Sequence, residues 1–300
     1  MNLPGPFLRT IEQVFGQRGR DFLQLLPHLV DTAVRRWQLT DVQPVSNLSY
    51  NYVAFADRLG ESVVLKIGVP DRELLSEMTA LCLFDGRAAV RLLESDEEHC
   101  MFLLERLKPG EILTTVADDR EATRIAAELM LLLWRTQISD PRLIQLADWF
   151  KGFERLRMQF GGGTGPLAAD LVSRAESLAR DLCAEDHVQT LIHGDLHHFN
   201  ILASQRGWLA IDPKGVLGPA AYEVGPFLLN PWVVSGLQTD TPDLTRDRIA
   251  IFAEHLGLER SRVRDWGLAY AVLSAWWSLE GNEDWRPAMQ CAEILAEIDA

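Results

Sequence analysis

Three polar residues stand at a chemically useful spacing in Leu191-Ile-His-Gly-Asp-Leu-His-His-Phe-Asn-Ile-Leu202 and in Trp208-Leu-Ala-Ile-Asp-Pro-Lys-Gly215, which follows it. They are Asp195, Asn200 and Asp212. Phosphoryl transfer to an alcohol needs such a set. One carboxylate accepts the proton of the attacking hydroxyl, while an amide and a second carboxylate hold Mg²⁺ against the nucleotide phosphates. Asp195 is the candidate base. Asn200 and Asp212 are the candidate metal ligands, offering the hard oxygens that Mg²⁺ takes. An isolated loop Asp is usually a turn former, and an Asp before a Pro, as in Asp212-Pro213, commonly opens a turn. The joint spacing, with three roles filled in their proper order, is what favours chemistry.

A rival reading uses His193, His197 and His198 as transition-metal ligands beside the two carboxylates. Paired metal-binding histidines want a helix at i and i+4, whereas Gly194 and the β-type flanks here predict a loop. His193 is instead expected to fix that loop through ring hydrogen bonds, and His198 to face the cleft. A phosphate-binding site also needs a cation. The chain has only four lysines, and Lys66 lies in the strand-like run Val63-Val-Leu-Lys-Ile-Gly68. An apolar strand seldom carries a lone Lys without a partner. A carboxylate on the next helix would position it against the α- and β-phosphates. Glu73 and Glu77 are the candidates, and Glu77 has the better reach.

The glycine-rich stretch Gly161–Gly165 is not the phosphate cradle, because it lacks the preceding strand and the Lys-Ser/Thr ending of a P-loop. Ser46, Asn47 and Ser49, in Ser46-Asn-Leu-Ser-Tyr-Asn51, sit where a phosphate loop belongs and offer hydroxyl, amide and backbone N–H groups. Leu103-Leu-Glu-Arg-Leu107 reads as a hinge, with Glu105 and Leu107 beside adenine.

The elements that must position these residues follow a legible order. Apolar faces through Phe22–Leu26 and Leu29–Trp37 predict one or two N-terminal helices. Tyr50–Arg58 and Ser62–Ile67 predict a hairpin turning at Leu59-Gly60. Asp71 caps a predicted helix running to Phe84 and ended by Gly86. Two strands follow, Val90–Glu94 and Cys100–Glu105. Pro109-Gly110 breaks the pattern, and from about Asp118 the chain is mostly helical. This is an α+β chain: a small β-rich lobe over residues 1–107, a hinge near 104–110, and a larger helical lobe over 108–300. A bilobal protein-kinase-like fold has that order, with its active site between the lobes.

Composition sets outer limits. The chain has 300 residues, 47% of them apolar and 24% charged, with a net charge of −14. Such an acidic balance argues against a nucleic-acid partner, which selects for a basic face; it suits a cationic small molecule or simply solubility. The apolar runs Ile125–Trp134 and Leu268–Leu279 are too short to span a bilayer. The N-terminus lacks a basic region followed by an apolar run, so no signal peptide is expected. Cys82, Cys100, Cys183 and Cys291 are scattered in apolar contexts and are expected to be buried, reduced thiols in a cytoplasmic protein.

Together these residues resemble the aminoglycoside phosphotransferase superfamily, whose fold is similar to that of protein kinases. The nearer resemblance is to the aminoglycoside/hydroxyurea resistance kinase family, which includes streptomycin 6-kinases. It is carried by Val64-Leu-Lys-Ile-Gly68, Gly86-Arg-Ala-Ala-Val-Arg-Leu-Leu93, Leu103-Leu-Glu-Arg-Leu107, His193-Gly-Asp-Leu-His-His198 with Asn200, Ile211-Asp-Pro-Lys-Gly215, Asn230-Pro231 and Leu273-Ser-Ala-Trp-Trp277. It implies an ATP- and Mg²⁺-dependent kinase in which Asp195 is the base, Asn200 and Asp212 hold Mg²⁺, and Lys66 binds the ATP phosphates. The acceptor it implies is a hydroxyl of a streptomycin-like aminoglycoside, or of a related polyol or amino-sugar. Two positions depart from the family pattern. Phe199 replaces a small residue before the Asn and would narrow the cleft mouth. Glu223 stands where an Asp is common and would keep a structural role with a longer arm. Glu223, Asp265, Glu280 and Asp284 are candidates to pair with a cationic acceptor, alongside His198 and Phe199. A catalytically silent nucleotide-binding module and a metal hydrolase built on the histidines are the alternatives.

Overall fold

The structure is a computed structural model and describes residues 3–185, 188–231 and 242–299. The chain opens with one long helix, α1 (Gly5–Trp37), broken at Gly16, whose backbone is left-handed (φ 57°). A five-stranded antiparallel sheet follows. Its strands are β1 (Leu39–Pro44), β2 (Tyr52–Arg58), β3 (Glu61–Ile67), β4 (Leu92–Asp96) and β5 (Met101–Glu105), in the order β1-β2-β3-β5-β4. Helix α2 (Arg72–Phe84) connects β3 to β4. The predicted hairpin is β2–β3. Its turn residues Leu59 and Gly60 both have positive φ (52° and 89°), which suits the right-handed twist of the strands.

The period of two along β3 explains how one strand serves a core and a site. Val63, Leu65 and Ile67 pack with Leu26, Leu29, Ala33 and Trp37 of α1. Val64 belongs to a separate cluster with Met78 and Leu81 of α2 and with Phe102 and Leu104 of β5. Successive strand side chains point to opposite faces, so Lys66 shares the α2 side with Val64; it is paired across the ladder with Phe102. Burying each of these apolar side chains contributes about 1.5–3 kcal/mol, and α1 supplies the cover on the far face. Helix α2 starts at Asp71, whose carboxylate accepts the Leu74 N–H (2.8 Å). It ends one residue before the predicted glycine, at a left-handed Asp85 (φ 49°).

Beyond β5 the structure departs from a bare break at Pro109-Gly110. Residues Pro109–Ile112 form a strand, β6, that pairs with a later strand of the helical lobe. The helical lobe contains α3 (Asp119–Leu133), capped by Asp118, then α4 (Leu146–Gln159) and α5 (Ala169–Glu185), with the short strands β7 (Arg135–Thr136) and β8 (Ile144–Gln145) between α3 and α4. Strands β9 (Thr190–Ile192), β10 (Ile201–Ser204), β11 (Gly207–Ala210) and β12 (Val216–Gly218) carry the motif region, and the helices α6 (Val224–Leu229), α7 (Pro242–Leu256), α8 (Arg260–Glu280) and α9 (Arg286–Glu297) close the chain. Helix α8 is the centre of the lobe; its Trp266, Leu268, Leu273 and Trp276 are fully buried.

Two small sheets frame the motif. One has the order β11-β10-β6 and the other β7-β9-β12-β8. The cysteines differ from expectation: Cys100 and Cys291 are buried, but Cys183 is half-buried and Cys82 is exposed on α2. Among the described residues no helix is long and apolar enough to cross a membrane.

Candidate active site

The loop from β9 to β10 carries His193 to Asn200, and the β11–β12 connection carries Asp212 to Gly215. The two segments are tied together through His193. Its carbonyl accepts the N–H groups of Lys214 (2.7 Å) and Gly215 (3.3 Å). Its ring Nε2 lies 2.8 Å from the Ile211 carbonyl, and its Nδ1 accepts the Asp195 N–H at 3.2 Å. That pattern puts the ring proton on Nε2. Burial drives the His193 pKa down to about 4, so the ring is a neutral brace. The expected scaffold role of His193 is what this geometry supports.

Glu223 is not at the acceptor. It is 0% exposed, and its carboxylate takes the N–H groups of His193 (2.6 Å) and Gly194 (2.9 Å). Burial pushes it up to about 8 against the pull of those donors. The structural role expected from its longer arm fits, and the acceptor-pairing role is corrected. Gly194 has φ 87°, and a Cβ there would lie 2.6 Å from Val216 Cγ2, so the turn that presents Asp195 requires glycine.

Asp195 is partly exposed. Burial would raise its pKa, but the neighbouring His197 and the Lys214 charge outweigh that and hold it below the usual carboxylate value. It is therefore an ionised acceptor at neutral pH. His197 Nδ1 accepts the Phe199 N–H (3.2 Å), and its Nε2 lies 3.7 Å from Asp195 Oδ1. Asn200 donates its side-chain N–H to the Asp195 carbonyl (2.9 Å), which leaves the amide oxygen uncommitted. Asp212 has a left-handed backbone (φ 56°), a conformation Asp tolerates better than most residues. One of its carboxylate oxygens receives Lys66 Nζ at 3.2 Å. Asn200 and Asp212 line one chamber, and their free oxygens are hard donors of the kind Mg²⁺ would take, leaving the rest of its shell to phosphates and water. The residues fit that ion.

Lys66 is held by Glu77 through both carboxylate oxygens, at 2.6 and 2.8 Å. Burial alone would lower its pKa, but Asp212 and Glu77 more than offset this, and the lysine stays charged. Glu77, and not Glu73, is the residue that meets Lys66. Glu73 instead faces Lys214 at 3.5 Å. A buried hydroxyl fixes α2 in this position. Ser76 Oγ donates to the Gly215 carbonyl (2.6 Å) and accepts the Ile144 N–H (3.2 Å), which docks the helix onto the motif segment.

Three cavities meet here. The first, of ≈ 410 Å³, lies between the lobes with walls of Leu48, Val64, Val90, Leu104, Leu107, Leu202 and Ile211 and reaches Lys66 and Asp212. Asn47 and Ser49 line it, as does Glu105, whereas Ser46 is not among the lining residues. The Glu105 carboxylate pairs with Arg206 and accepts the Arg91 N–H (2.9 Å), so it is tied away from a ligand. Phe199 also lines this first cavity, in the cleft its bulk was expected to narrow; it lines neither of the other two, and its candidacy for the acceptor is corrected. The second, a chamber of ≈ 590 Å³, joins Lys66, Asp195, Asn200, Asp212 and Lys214. The third, of ≈ 420 Å³, opens from Asp195 toward Glu73, Asp148, Trp149, Arg155, Tyr270, Trp277 and Glu280. Trp149 and Trp277 meet edge to face at 5.4 Å.

Of the candidates for the acceptor, Glu280 alone lies in this third cavity, with its carboxylate on Arg155 (2.8 and 3.0 Å). His198 is corrected. Its ring is 3% exposed and stacks on Phe227 at 3.9 Å, in the core, and burial holds it neutral. The three histidines thus turn to an Ile211 carbonyl, a Phe199 N–H and a Phe227 ring, and do not converge on a metal. Asp265 pairs with Arg264 (2.9 Å) and Asp284 with Arg286 (2.9 Å), each beside its own chain neighbour and neither among the residues lining the third cavity. Sequence reasoning assigned no site role to Asp148, Trp149, Tyr270 or Lys214. Lys214 was visible within Ile211-Asp-Pro-Lys-Gly215, but nothing local marked Asp148-Trp149 as facing Trp277.

This bilobal arrangement, with a lysine–glutamate pair facing an Asp/Asn/Asp set across a cleft, defines a kinase-like phosphotransferase. Solved structures share the fold. An aminoglycoside phosphotransferase APH(4)-Ia in ternary complex with ADP and hygromycin B aligns with TM-score 0.61 at 15% identity, covering 89% of this chain and 96% of that one. The choline kinase LicA from Streptococcus pneumoniae aligns with TM-score 0.62 at 12% identity, covering 92% and 100%. In sequence, the chain belongs to the aminoglycoside/hydroxyurea antibiotic resistance kinase family, whose profile matches residues 36–281. It is 29% identical to a streptomycin 6-kinase of Streptomyces glaucescens over 284 residues, which is 93% of this chain and 92% of the relative. It is 30% identical to a hydroxyurea phosphotransferase of Kitasatospora aureofaciens over 309 residues, 99% of this chain and 86% of the relative. It is an enzyme that transfers phosphate to an alcohol group, and it binds nucleotide.

Proposed function

We propose that the enzyme moves the γ-phosphate of ATP, with Mg²⁺, to a hydroxyl of a cationic aminoglycoside such as streptomycin, and so inactivates the antibiotic in the cytoplasm. The observation that carries this reading is the position of Asp195 at the junction of the chamber and the acidic, aromatic third cavity. The division of the chain at 107/108 belongs to the same reading: nucleotide is held mainly by the first part and acceptor by the second.

In this mechanism adenine lies between Val64, Leu104, Leu107, Leu202 and Ile211, and Asn47 and Ser49 reach toward the phosphates. Lys66, held by Glu77, binds phosphate oxygens. Asn200 and Asp212 would hold Mg²⁺, which would supply charge neutralisation of the nucleotide phosphates. The acceptor sits on Trp149 and Trp277, with its cationic groups near Glu73, Asp148 and Glu280. Asp195 accepts the hydroxyl proton as the oxygen attacks phosphorus. General-base help of this kind contributes about 10²–10⁴-fold.

The experiment is ATP consumption with Mg²⁺ against streptomycin, hygromycin B, hydroxyurea and choline. Turnover with streptomycin supports the reading. Turnover with hydroxyurea alone would move the acceptor to the small hydroxyl compound named by the second relative.

A further inference from the structure

Lys214 is the one lysine shared by the transfer chamber and the acceptor cavity. It lines both, together with Asp195, Glu73 and Trp277. Lys66 lines the nucleotide cavity and the chamber but not the acceptor side. The two ammonium groups therefore approach the chamber from different ends.

They are also held differently. Lys66 is clamped by Glu77 at 2.6 and 2.8 Å and by Asp212 at 3.2 Å. Lys214 has one long contact, 3.5 Å to Glu73, whose side chain is itself well exposed. An ammonium has three donors, so the remainder of its hydrogen-bonding capacity is available to a ligand. Its backbone, by contrast, is fixed. The Lys214 and Gly215 N–H groups bind the His193 carbonyl, and Gly215 is left-handed (φ 67°) where a Cβ would lie 2.5 Å from the Ser76 carbonyl. A rigid base with a loosely held cation beside Asp195 is suited to the γ-phosphoryl charge that a bound nucleotide brings into the chamber.

Charge counting points the same way. Asp71, Glu73, Glu77, Asp195 and Asp212 surround the chamber, against Lys66 and Lys214. A polyanionic nucleotide entering against that acidic excess favours both cations acting on it.

We propose that Lys214 binds the γ-phosphoryl oxygens of ATP from the acceptor side and stays on that group through transfer. The bond from the acceptor oxygen to phosphorus forms as the bond from phosphorus to the β-bridging oxygen breaks. The electron pair leaves with ADP, and the acceptor proton goes to Asp195. This role rests on the kinase reading given above.

The test is calorimetric titration, in MgCl₂, of wild type, Lys214→Ala, Lys214→Arg and Glu73→Gln with ADP and with AMP-PNP. Losing a charge-assisted contact to the γ-phosphoryl group should weaken AMP-PNP roughly 10- to 100-fold in Lys214→Ala, while ADP changes less than about twofold, within ordinary surface-substitution scatter. Lys214→Arg should recover most of the loss. Glu73→Gln should keep the wild-type preference, since it leaves the ammonium in place. If Lys214→Ala weakens both nucleotides alike, or neither, the proposal is overturned. It is also overturned if Glu73→Gln reproduces the Lys214→Ala pattern, because the lysine would then serve as a tie to α2. Failure of wild type to bind either nucleotide would instead sink the kinase reading.

Discussion

Glu223→Gln tests how the loop bearing Asp195 is held. In the native protein the two carboxylate oxygens take the His193 and Gly194 N–H groups at 2.6 and 2.9 Å, with no exposure to solvent. An amide keeps one acceptor and turns its NH₂ toward the other N–H. One buried donor is then orphaned, which costs about 1–3 kcal/mol, and repulsion adds to it. At roughly 2–4 °C per kcal/mol for a large domain, the melting temperature should fall by several degrees.

The pH dependence adds an independent signature. Burial holds the Glu223 proton up to about 8, whereas the unfolded side chain releases it near 4.5. The folded state then binds more protons than the unfolded state across that interval, so this group's contribution to stability is lost as pH rises toward 8. His193, held down to about 4, titrates only in the unfolded chain near 6.5 and contributes the opposite slope below that pH. Between pH 6.5 and 8 Glu223 acts over about 1.5 pH units, or roughly 2 kcal/mol; Glu77, raised by burial to about 7, adds a slope of the same sign that wild type and the Glu223 variant share. Wild type should lose stability across that window, and Glu223→Gln should lose less. Urea titrations at pH 6.5, 7.25 and 8 measure the difference. A variant as stable as wild type, with the same pH slope and unchanged turnover, would refute the brace.

Other substitutions probe the remaining parts. Asp195→Ala should reduce turnover by ~10³-fold or more while nucleotide binding, read by calorimetry, is retained; near-normal turnover would exclude its role as base. Glu77→Gln leaves Lys66 without its bidentate carboxylate and should raise KM for ATP roughly tenfold, with less change in KM for the acceptor. Gly215→Ala forces a Cβ to within 2.5 Å of the Ser76 carbonyl at φ 67° and should impair folding, read as lost soluble yield or a melting point lowered by several degrees. Tyr50, in the loop proposed to meet the phosphates, donates to Glu283 of the helical lobe at 3.3 Å. Tyr50→Phe removes that link and should speed proteolysis of the loop without lowering the melting temperature by more than about a degree.

Much of the nucleotide side was legible because it is built from local periodicity. Lys66 faces α2 since it is two residues from Val64 on a strand, and Glu77 meets it because α2 starts at the readable cap Asp71. Asp195, Asn200 and Asp212 were readable as a spacing. The orientation of their neighbours was not. His198 and Phe199 lie in a single 3-10 turn, His198–Asn200, where adjacent side chains diverge; one goes into the core on Phe227 and the other into the cavity between the lobes. The third cavity was illegible for another reason. Its Trp149 and Trp277 come from α4 and α8, which meet only through the packing of the whole helical lobe.

The proposed reaction is transfer of the ATP γ-phosphate to an aminoglycoside hydroxyl with Asp195 as base. The most direct measurement is ³¹P NMR of streptomycin incubated with ATP, MgCl₂ and either wild type or Asp195→Ala. The account predicts a new phosphomonoester signal on the antibiotic, matched by ADP, with wild type and none on the same timescale with the variant. An unmodified antibiotic after exhaustive incubation, or the same phosphomonoester formed equally fast by both proteins, would contradict it.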